Sequence, residues 1–173
     1  TPMSLTTPLD QYIGEHPVYN VEKIYSDAYK KVSSSQGSRY PDVNKAINYR
    51  VNNGCLMMTY FGHGGDNGWS HERILTRSDI NAWTNKYALP IFYTACCSFG
   101  HYDNNSSSPA ELILLNTNGG GIGVIASTRE SDSYNNQSLG KALHSYFLQN
   151  TNKQYLSIGE VYAKAQAEHR YEM

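Results

Sequence analysis

The stretch "CLMMTYFGHGG" (55–65) decides the fold, because a continuous apolar run ends there in a glycine-rich turn. An apolar run of this length beside glycine is typical of a strand buried on both faces. The stretches "PIFYTACC" (90–97) and "GIGVIAST" (121–128) follow the same pattern. Because segments with helical signals separate these strands, we predict an α/β fold with a mostly parallel sheet flanked by helices.

Five segments carry helix signals. The segment 40–54 has proline at a favourable first position and glycine at its end, and it places Val43, Ile47 and Tyr49 along one side. The segment 108–115 begins with serine, proline and glutamate in the order of a capping box. The other predicted helices cover 77–88, 137–149 and 157–170. The N-terminal part is predicted as an irregular lead-in (1–20), a short strand (21–29) and a loop (33–38).

Composition limits the classes of function. The chain has 173 residues and begins at Thr1, so we expect one domain or subdomain (1–173) of a longer protein. The net charge is −1 and the basic residues are scattered singly, which argues against a nucleic-acid-binding surface. The sequence shows neither a transmembrane segment nor a signal peptide. Fifteen tyrosines and only 17% charged residues indicate an uncharged polar surface, which favours an extracellular setting.

The three cysteines do not predict a disulfide framework, because an odd number cannot all pair and the neighbours Cys96 and Cys97 are poorly placed to bridge each other. A zinc site built from His63, His71 and a cysteine lacks the usual CxxC or HExxH spacing. We therefore predict no metal and no cofactor. The polar run "DNNSSS" (103–108) is interpreted as a solvated turn, with a calcium loop as the open alternative.

His63 and Cys96 are the candidate catalytic pair, since each follows a predicted strand. In a parallel sheet the carboxyl ends of the strands share one edge, where active sites gather. A thiolate is a strong nucleophile, a nearby imidazolium lowers the thiol pKa, and the imidazole can protonate a leaving amine. The backbone N–H groups of Gly64 and Cys96 are candidates for an oxyanion hole. Strand alternation predicts that Cys97 points to the opposite side.

Other motif matches fail on context. The segment 121–126 fits G-x-G-x-x-A, but its glycines begin a strand instead of following one, so it does not predict a dinucleotide loop. The histidine-glycine run resembles a lipase oxyanion loop, yet no G-x-S-x-G elbow accompanies it. The remaining histidines are interpreted as surface or capping residues: His16, His71, His101, His144 and His169.

Three blocks carry a family resemblance: "YFGHGGDNGWSHERIL" (60–75), "LPIFYTACCSFGHYD" (89–103) and "GGGIGVIASTRES" (119–131). In wording, order and spacing they resemble the gingipain-type cysteine peptidases of the caspase–legumain–gingipain group. The likeness runs from about residue 20 to the end of the chain. It implies a caspase-like catalytic subdomain in which His63 is the catalytic histidine and Cys96 the nucleophile.

The resemblance implies further roles. It assigns the Gly64 N–H to the oxyanion hole and makes Cys97 a bystander. The loop after the third strand would wall the substrate pocket. Some gingipains orient the histidine with an upstream acid, and no motif selects one here. A gingipain-type unit is also normally larger, so only its catalytic half is expected in this chain. The pocket candidates are Ser127, Thr128, Arg129, Glu130 and Trp69, and the upstream acids are Asp10, Glu15, Asp27 and Asp42.

Within the family, the blocks look most like the sortases, or C-terminal signal peptidases, of the type IX secretion system. This likeness implies a thioester acyl-enzyme, removal of C-terminal signals from exported cargo, and transpeptidation to a surface glycan as a second outcome. It also implies partners among other secretion-system components and a location at the bacterial outer membrane. The alternatives are a secreted gingipain-like endopeptidase and an inactive binding module on the same fold.

Overall fold

The computed structural model describes residue 14 and residues 18–35, 37–148 and 155–171, with residues 169–171 described by their backbone alone. Most of the predicted lead-in (1–20) lies outside these residues. The chain forms two compact units, one of residues 24–132 and one of residues 1–23 together with 133–173. The described elements are the strands β1 (Val32–Ser34), β2 (Gly37–Arg39), β3 (Met57–Phe61), β4 (Gly64–Gly65), β5 (Gly68–Trp69), β6 (Leu75–Thr76), β7 (Ile91–Ala95) and β8 (Gly123–Ala126), the helices α1 (Pro41–Asn53), α2 (Arg77–Ala82), α3 (Pro109–Leu115), α4 (Ser133–Leu148) and α5 (Ile158–Tyr171), and a 3₁₀ turn (Ser26–Ala28).

The central sheet of the first unit has the order β3-β7-β8. Both pairs of neighbouring strands are parallel, with Phe61 opposite Ala95 and Thr94 opposite Ala126. The helices α1 to α3 alternate with these strands along the chain. The predicted α/β class with a parallel sheet flanked by helices is therefore confirmed.

Burial differs between the three strands. β7 is buried from Phe92 to Ala95, as predicted, whereas β3 and β8 are only half-buried along their whole length. In the described part of the chain β7 has a strand on each side and the other two have one neighbour each. The prediction that all three strands are buried on both faces is wrong for β3 and β8.

Helix α1 begins at Pro41 and ends before Gly54, as the sequence predicts. Gly54 has φ +89°, a backbone conformation that favours glycine. The buried side of α1 contains Val43, Ile47 and Val51. Tyr49 lies on the exposed side with 59% of its surface accessible, so its predicted position is wrong. The helical period places Val51, four residues after Ile47, on the core face instead.

The core of the first unit is aromatic at its centre. The rings of Trp83 and Phe92 stack with centroids 5.5 Å apart, and Trp69 packs against Phe92 and Phe99. These four side chains are at most 1% exposed. Because β7 supplies Phe92, the core lies directly under the strand that leads to Cys96.

Two short β structures were not predicted. The strands β1 and β2 form an antiparallel hairpin where the sequence predicts a loop over 33–38. The 3₁₀ turn replaces the strand predicted over 21–29. The strands β4, β5 and β6 form a small antiparallel sheet directly after His63. Their strands of two or three residues are too short to produce a periodic hydrophobic pattern.

The second unit contains α4 and α5, which pack against each other. The predicted bounds of these helices differ from the observed ones by up to four residues. His144 is interpreted from the sequence as a surface or capping residue, and the first of these is wrong, because His144 in α4 is 5% exposed. Its Nδ1 donates to the carbonyl oxygen of Gly140, one turn earlier, at 2.7 Å. Within the described residues, every helix is too short or too polar to cross a membrane.

Candidate active site

The ends of β3, β7 and β8 form one edge of the sheet. The N–H of Gly62 donates to the carbonyl oxygen of Ala95 at 3.3 Å, which extends the pairing of β3 with β7 by one residue. His63 therefore follows the end of β3 beside the point where Cys96 follows β7. The parallel register confirms the expectation that these strand ends share one rim.

Cys96 lies in the interior of this rim. Its side chain is 1% exposed and packs directly against Gly64. A Cβ atom on Gly64 would lie 2.9 Å from the Cβ of Cys96 and closer still to its Sγ. The thiol thus occupies the space that a side chain at residue 64 would need. The residue that follows His63 and the candidate nucleophile are in contact.

Burial controls the charge of this thiol. Removal from water raises the pKa of Cys96 to about 12, and the Thr94 hydroxyl beside the thiol opposes this rise only in part. The expected lowering of the thiol pKa by an imidazolium is thus not found: the groups that shift this pKa besides burial are the Thr94 hydroxyl and, in the opposite direction, Cys97. At neutral pH Cys96 is a neutral thiol in this structure. Any nucleophilic role requires its proton to leave during the reaction.

His63 has an exposed side chain and a fixed backbone. Its carbonyl oxygen accepts one hydrogen bond from the Tyr60 hydroxyl at 2.8 Å and another from the Ser70 N–H at 2.7 Å. Its ring lies beside that of His71, with centroids 5.8 Å apart. His71 is exposed, as expected, but no pattern of residues indicates that the two imidazoles are neighbours.

Cys97 has different surroundings from Cys96. Its Sγ donates to the carbonyl oxygen of Ser131 at 3.5 Å, and it is half-buried. Cys55 is half-buried and lies two residues before β3. All three cysteines are free thiols. The two adjacent thiols thus contact different parts of the rim.

The loop after β8 runs beside the loop after Cys96. The N–H of Ser98 donates to the carbonyl oxygen of Arg129, and that of Gly100 to the oxygen of Ser127, each at 3.0 Å. The guanidinium of Arg129 binds both carboxylate oxygens of Asp103, at 2.9 and 2.6 Å. The structure thus brings the first part of the predicted pocket loop next to the segment that carries Cys96.

The predicted pocket residues differ in their exposure. Thr128 and Glu130 are exposed, and Thr128 accepts from Arg129 through its carbonyl oxygen. Trp69 is 1% exposed and its ring stacks on Tyr60. A ring enclosed in this way presents no open surface in this structure, and the assignment of Trp69 to the pocket stays a prediction.

A polar cluster beside the rim was missed from the sequence. The two ring nitrogens of His101 face the carboxylates of Asp66 and Asp103, at 3.1 and 3.4 Å. Asn104 donates to the second carboxylate oxygen of Asp66 at 3.1 Å. With the Arg129–Asp103 pair, this cluster ties together three loops at the carboxyl ends of the strands. Single polar residues in separate loops give no periodic signal in the sequence. Their clustering is therefore detected only in the tertiary structure.

Of the four upstream acids that could orient His63, the structure describes only Asp27 and Asp42. Asp10 and Glu15 lie outside the described residues. Asp42 pairs with Lys45 at 3.4 Å on α1, and no described contact joins Asp27 or Asp42 to His63. Among the described residues, no group of three or more histidine, cysteine or acidic side chains is arranged to hold a metal ion.

The sequence model of peptidase family C25 matches residues 6–172. The chain belongs to this family, the gingipain family of cysteine peptidases. No curated protein matches it. Family membership agrees with a cysteine-type centre at the rim that carries His63 and Cys96.

Solved structures of a C25 peptidase share the fold. The complex of the pro- and mature domains of RgpB from Porphyromonas gingivalis superposes with a TM-score of 0.67 at 19% identity. The crystal structure of the Arg-specific cysteine proteinase gingipain R (RgpB) also gives 0.67, at 18% identity. Each match covers 75% of this chain and 31% of the other chain. The predicted gingipain-type, caspase-like fold is confirmed, and the chain spans about a third of the length of the chains it matches.

Proposed function

We propose that this C25 chain carries the catalytic centre of a cysteine endopeptidase, with Cys96 as nucleophile and His63 as acid and base. The observation that carries the proposal is the packing of the Cys96 thiol against Gly64, the residue after His63. The contact lies at the carboxyl ends of parallel strands, where α/β folds concentrate catalytic groups. The backbone N–H groups of Gly64 and Cys96 are proposed to hold the oxyanion.

The proposed reaction begins from a neutral thiol, in keeping with the raised pKa of Cys96. As Sγ forms a bond to the substrate carbonyl carbon, the thiol proton moves to the imidazole of His63 and the carbonyl oxygen becomes an oxyanion. The oxyanion then collapses, the C–N bond breaks and the imidazolium gives its proton to the departing amine. The product is a thioester on Cys96. Water converts it to an acid, whereas an amine converts it to a new amide.

The finer proposal is a sortase that removes C-terminal signals from exported proteins. It rests on the likeness of the three sequence blocks to PorU, the sortase of the type IX secretion system. The proposed protein substrates are the C-terminal signal regions of secreted cargo, and the proposed setting is the bacterial cell surface, beside other secretion components at the outer membrane. Attack on the thioester by an amine of a surface glycan would attach the cargo there.

A secreted endopeptidase with a preference for basic side chains is the second candidate, since gingipain R, one of the structurally similar proteins, is an Arg-specific cysteine proteinase. A pocket for a basic side chain needs a buried acid. Glu130 and Asp132, two acids in the loop after β8, are both exposed, which disfavours this candidate. An inactive binding module is disfavoured because His63, Gly64 and Cys96 are all present.

The test compares the purified protein with Cys96→Ala, His63→Ala and the control Cys97→Ala. We expect each of the first two changes to lower the cleavage rate by about 10³-fold or more, because nucleophile and base act as a unit. Cys97→Ala should leave the cleavage rate within about twofold, because the Cys97 thiol contacts the Ser131 carbonyl, whereas the Cys96 thiol contacts Gly64. Substrates are a cargo C-terminal signal peptide and peptides with Arg or Lys before the reporter. If the protein is a sortase, we expect it to cleave the cargo signal peptide. If it is a basic-specific protease, we expect it to cleave the Arg and Lys peptides.

Mass spectrometry of the products, with and without an added amine, separates hydrolysis from transpeptidation. Cleavage that survives in Cys96→Ala would contradict the proposed nucleophile. Cleavage of the Arg and Lys peptides alone would contradict the sortase but leave the cysteine centre intact.

A further inference from the structure

The carbonyl oxygen of His63 is held from two sides. The Tyr60 hydroxyl donates to it at 2.8 Å and the Ser70 N–H donates at 2.7 Å. A carbonyl oxygen has two acceptor positions, and both are used here. The peptide group between His63 and Gly64 therefore cannot rotate without breaking two hydrogen bonds.

The strand register determines where the other end of this peptide group points. Gly64 lies opposite Trp69 in the pairing of β4 with β5. The hydrogen bond from the Ser70 N–H to the His63 carbonyl oxygen joins the neighbouring pair, His63 and Ser70. Hydrogen-bonded and non-hydrogen-bonded pairs alternate in an antiparallel ladder, so Gly64 and Trp69 form a non-hydrogen-bonded pair. The N–H of Gly64 consequently points away from β5.

Peptide planarity couples the two ends of the group. In a trans peptide the C=O and N–H bonds point in opposite directions, and the described residues contain no cis peptide. Fixing the oxygen of His63 thus fixes the N–H of Gly64. Hydrogen bonds to the oxygen also polarise the amide, which makes its N–H a better donor. Gly64 is in addition the residue against which the Cys96 thiol packs.

The side chain of Tyr60 is itself fixed in the position from which it binds the His63 carbonyl. Its ring stacks on the buried ring of Trp69, with centroids 4.4 Å apart and planes 12° from parallel. Gly62 leaves room for the phenol, because a Cβ there would lie 2.5 Å from the Tyr60 hydroxyl. Burial raises the pKa of Tyr60, so the hydroxyl keeps its proton and remains a donor at neutral pH.

We propose that Tyr60 is a positioning residue of the oxyanion hole, whose hydroxyl anchors the His63 carbonyl and thereby aims the Gly64 N–H at the oxyanion formed on Cys96 attack. The proposal rests on the function proposed above. Tyr60 contacts neither the substrate nor the reacting atoms in this scheme. Its effect is confined to the stage of the reaction at which negative charge develops on the substrate oxygen.

The test uses Tyr60→Phe, which removes the hydroxyl and keeps the ring that stacks on Trp69. The matched control is Tyr87→Phe, whose side chain is 98% exposed. For the best-cleaved peptide we expect Tyr60→Phe to lower kcat about tenfold with KM nearly unchanged, a smaller loss than that of a direct oxyanion donor. The control should retain its kcat.

Two covalent probes separate positioning from general damage. A peptide aldehyde built on the same sequence forms a hemithioacetal, in which Sγ bonds to the aldehyde carbon and the thiol proton ends on the oxygen held by the oxyanion hole. Iodoacetamide alkylates Cys96 by displacing iodide and creates no oxyanion. Tyr60→Phe should weaken the aldehyde about tenfold and leave the alkylation rate within about twofold.

If Tyr60→Phe weakens aldehyde binding and slows alkylation by the same factor, the change has damaged the site in general. If Tyr60→Phe leaves kcat unchanged, the hydroxyl positions nothing. Either result overturns the proposal. If Cys96→Ala is inactive while Tyr60→Phe is fully active, this inference alone fails. If Cys96→Ala remains active, the proposed function itself fails.

Discussion

Gly64 is constrained by space. Its α-carbon adjoins the Cys96 thiol on one side, and a Cβ there would also lie 3.4 Å from the carbonyl oxygen of Gly68. The next residue, Gly65, has nothing within 4 Å of the position of a Cβ. Two adjacent glycines therefore differ completely in what they tolerate, and the difference is set by the buried thiol.

Gly64→Ala should consequently lower cleavage activity by at least about tenfold, because the thiol must move to admit the methyl group, and should reduce the free energy of unfolding by about 1–3 kcal/mol through overpacking. Gly65→Ala is the matched control and should leave both quantities nearly unchanged. Peptide cleavage and urea denaturation measure the two effects. Equal activity of the two variants would contradict the close packing of Gly64 on Cys96.

At the scale of elements, helix α3 is anchored at its beginning by a capping box. The Ser108 hydroxyl accepts from the N–H of Glu111, and the Glu111 carboxylate accepts from the N–H and hydroxyl of Ser108. The N–H of Ala110 donates to the carbonyl oxygen of Phe99, so the same turn is tied to the loop after Cys96. Ser108 is 2% exposed, so water could not readily replace these hydrogen bonds if its hydroxyl were removed.

Ser108→Ala should therefore lower the free energy of unfolding by about 1 kcal/mol, the usual cost of losing an N-cap. Ser106→Ala, an exposed serine in the preceding loop, serves as the control and should change it by less than about 0.5 kcal/mol. Urea denaturation followed by circular dichroism gives both values. A loss no larger than that of the control would show that the box contributes nothing to stability.

The elements differ in how far the sequence predicts them. The predictions of α1, α3 and the parallel strands are confirmed, because proline, capping residues and long apolar runs act within a few residues of chain. The hairpin β1–β2 and the sheet β4–β6 were missed, since their pairing is decided by contacts beyond the strands themselves.

At the scale of the whole molecule, buried titratable groups make stability depend on pH. Burial lowers the pKa of His144 below its ordinary value of 6.5, while its hydrogen bond to Gly140 opposes the change only in part. The folded chain therefore holds this imidazole neutral where the unfolded chain would protonate it. The resulting stability is fully present above pH 6.5 and is lost as the pH falls through 6.5 towards and past the lower folded value.

Between these two pKa values, His144 should contribute a fall in the free energy of unfolding of up to about 1.4 kcal/mol per pH unit. His144→Gln removes the titrating group and should make the fall between pH 7 and pH 5 shallower by that amount. Urea denaturation across this range, with both proteins measured in parallel, isolates the histidine from the other groups. Identical slopes would contradict a buried neutral imidazole.

The α/β class, the parallel strands and the rim that carries His63 and Cys96 follow from the order of residues along the chain, because apolar runs, caps and strand ends are local signals. Two properties of the site follow only from folding: the Cys96 thiol is neutral and Tyr60 holds the His63 carbonyl. These properties depend on desolvation and on contacts between separate segments. Neither is encoded in the spacing of residues along one segment.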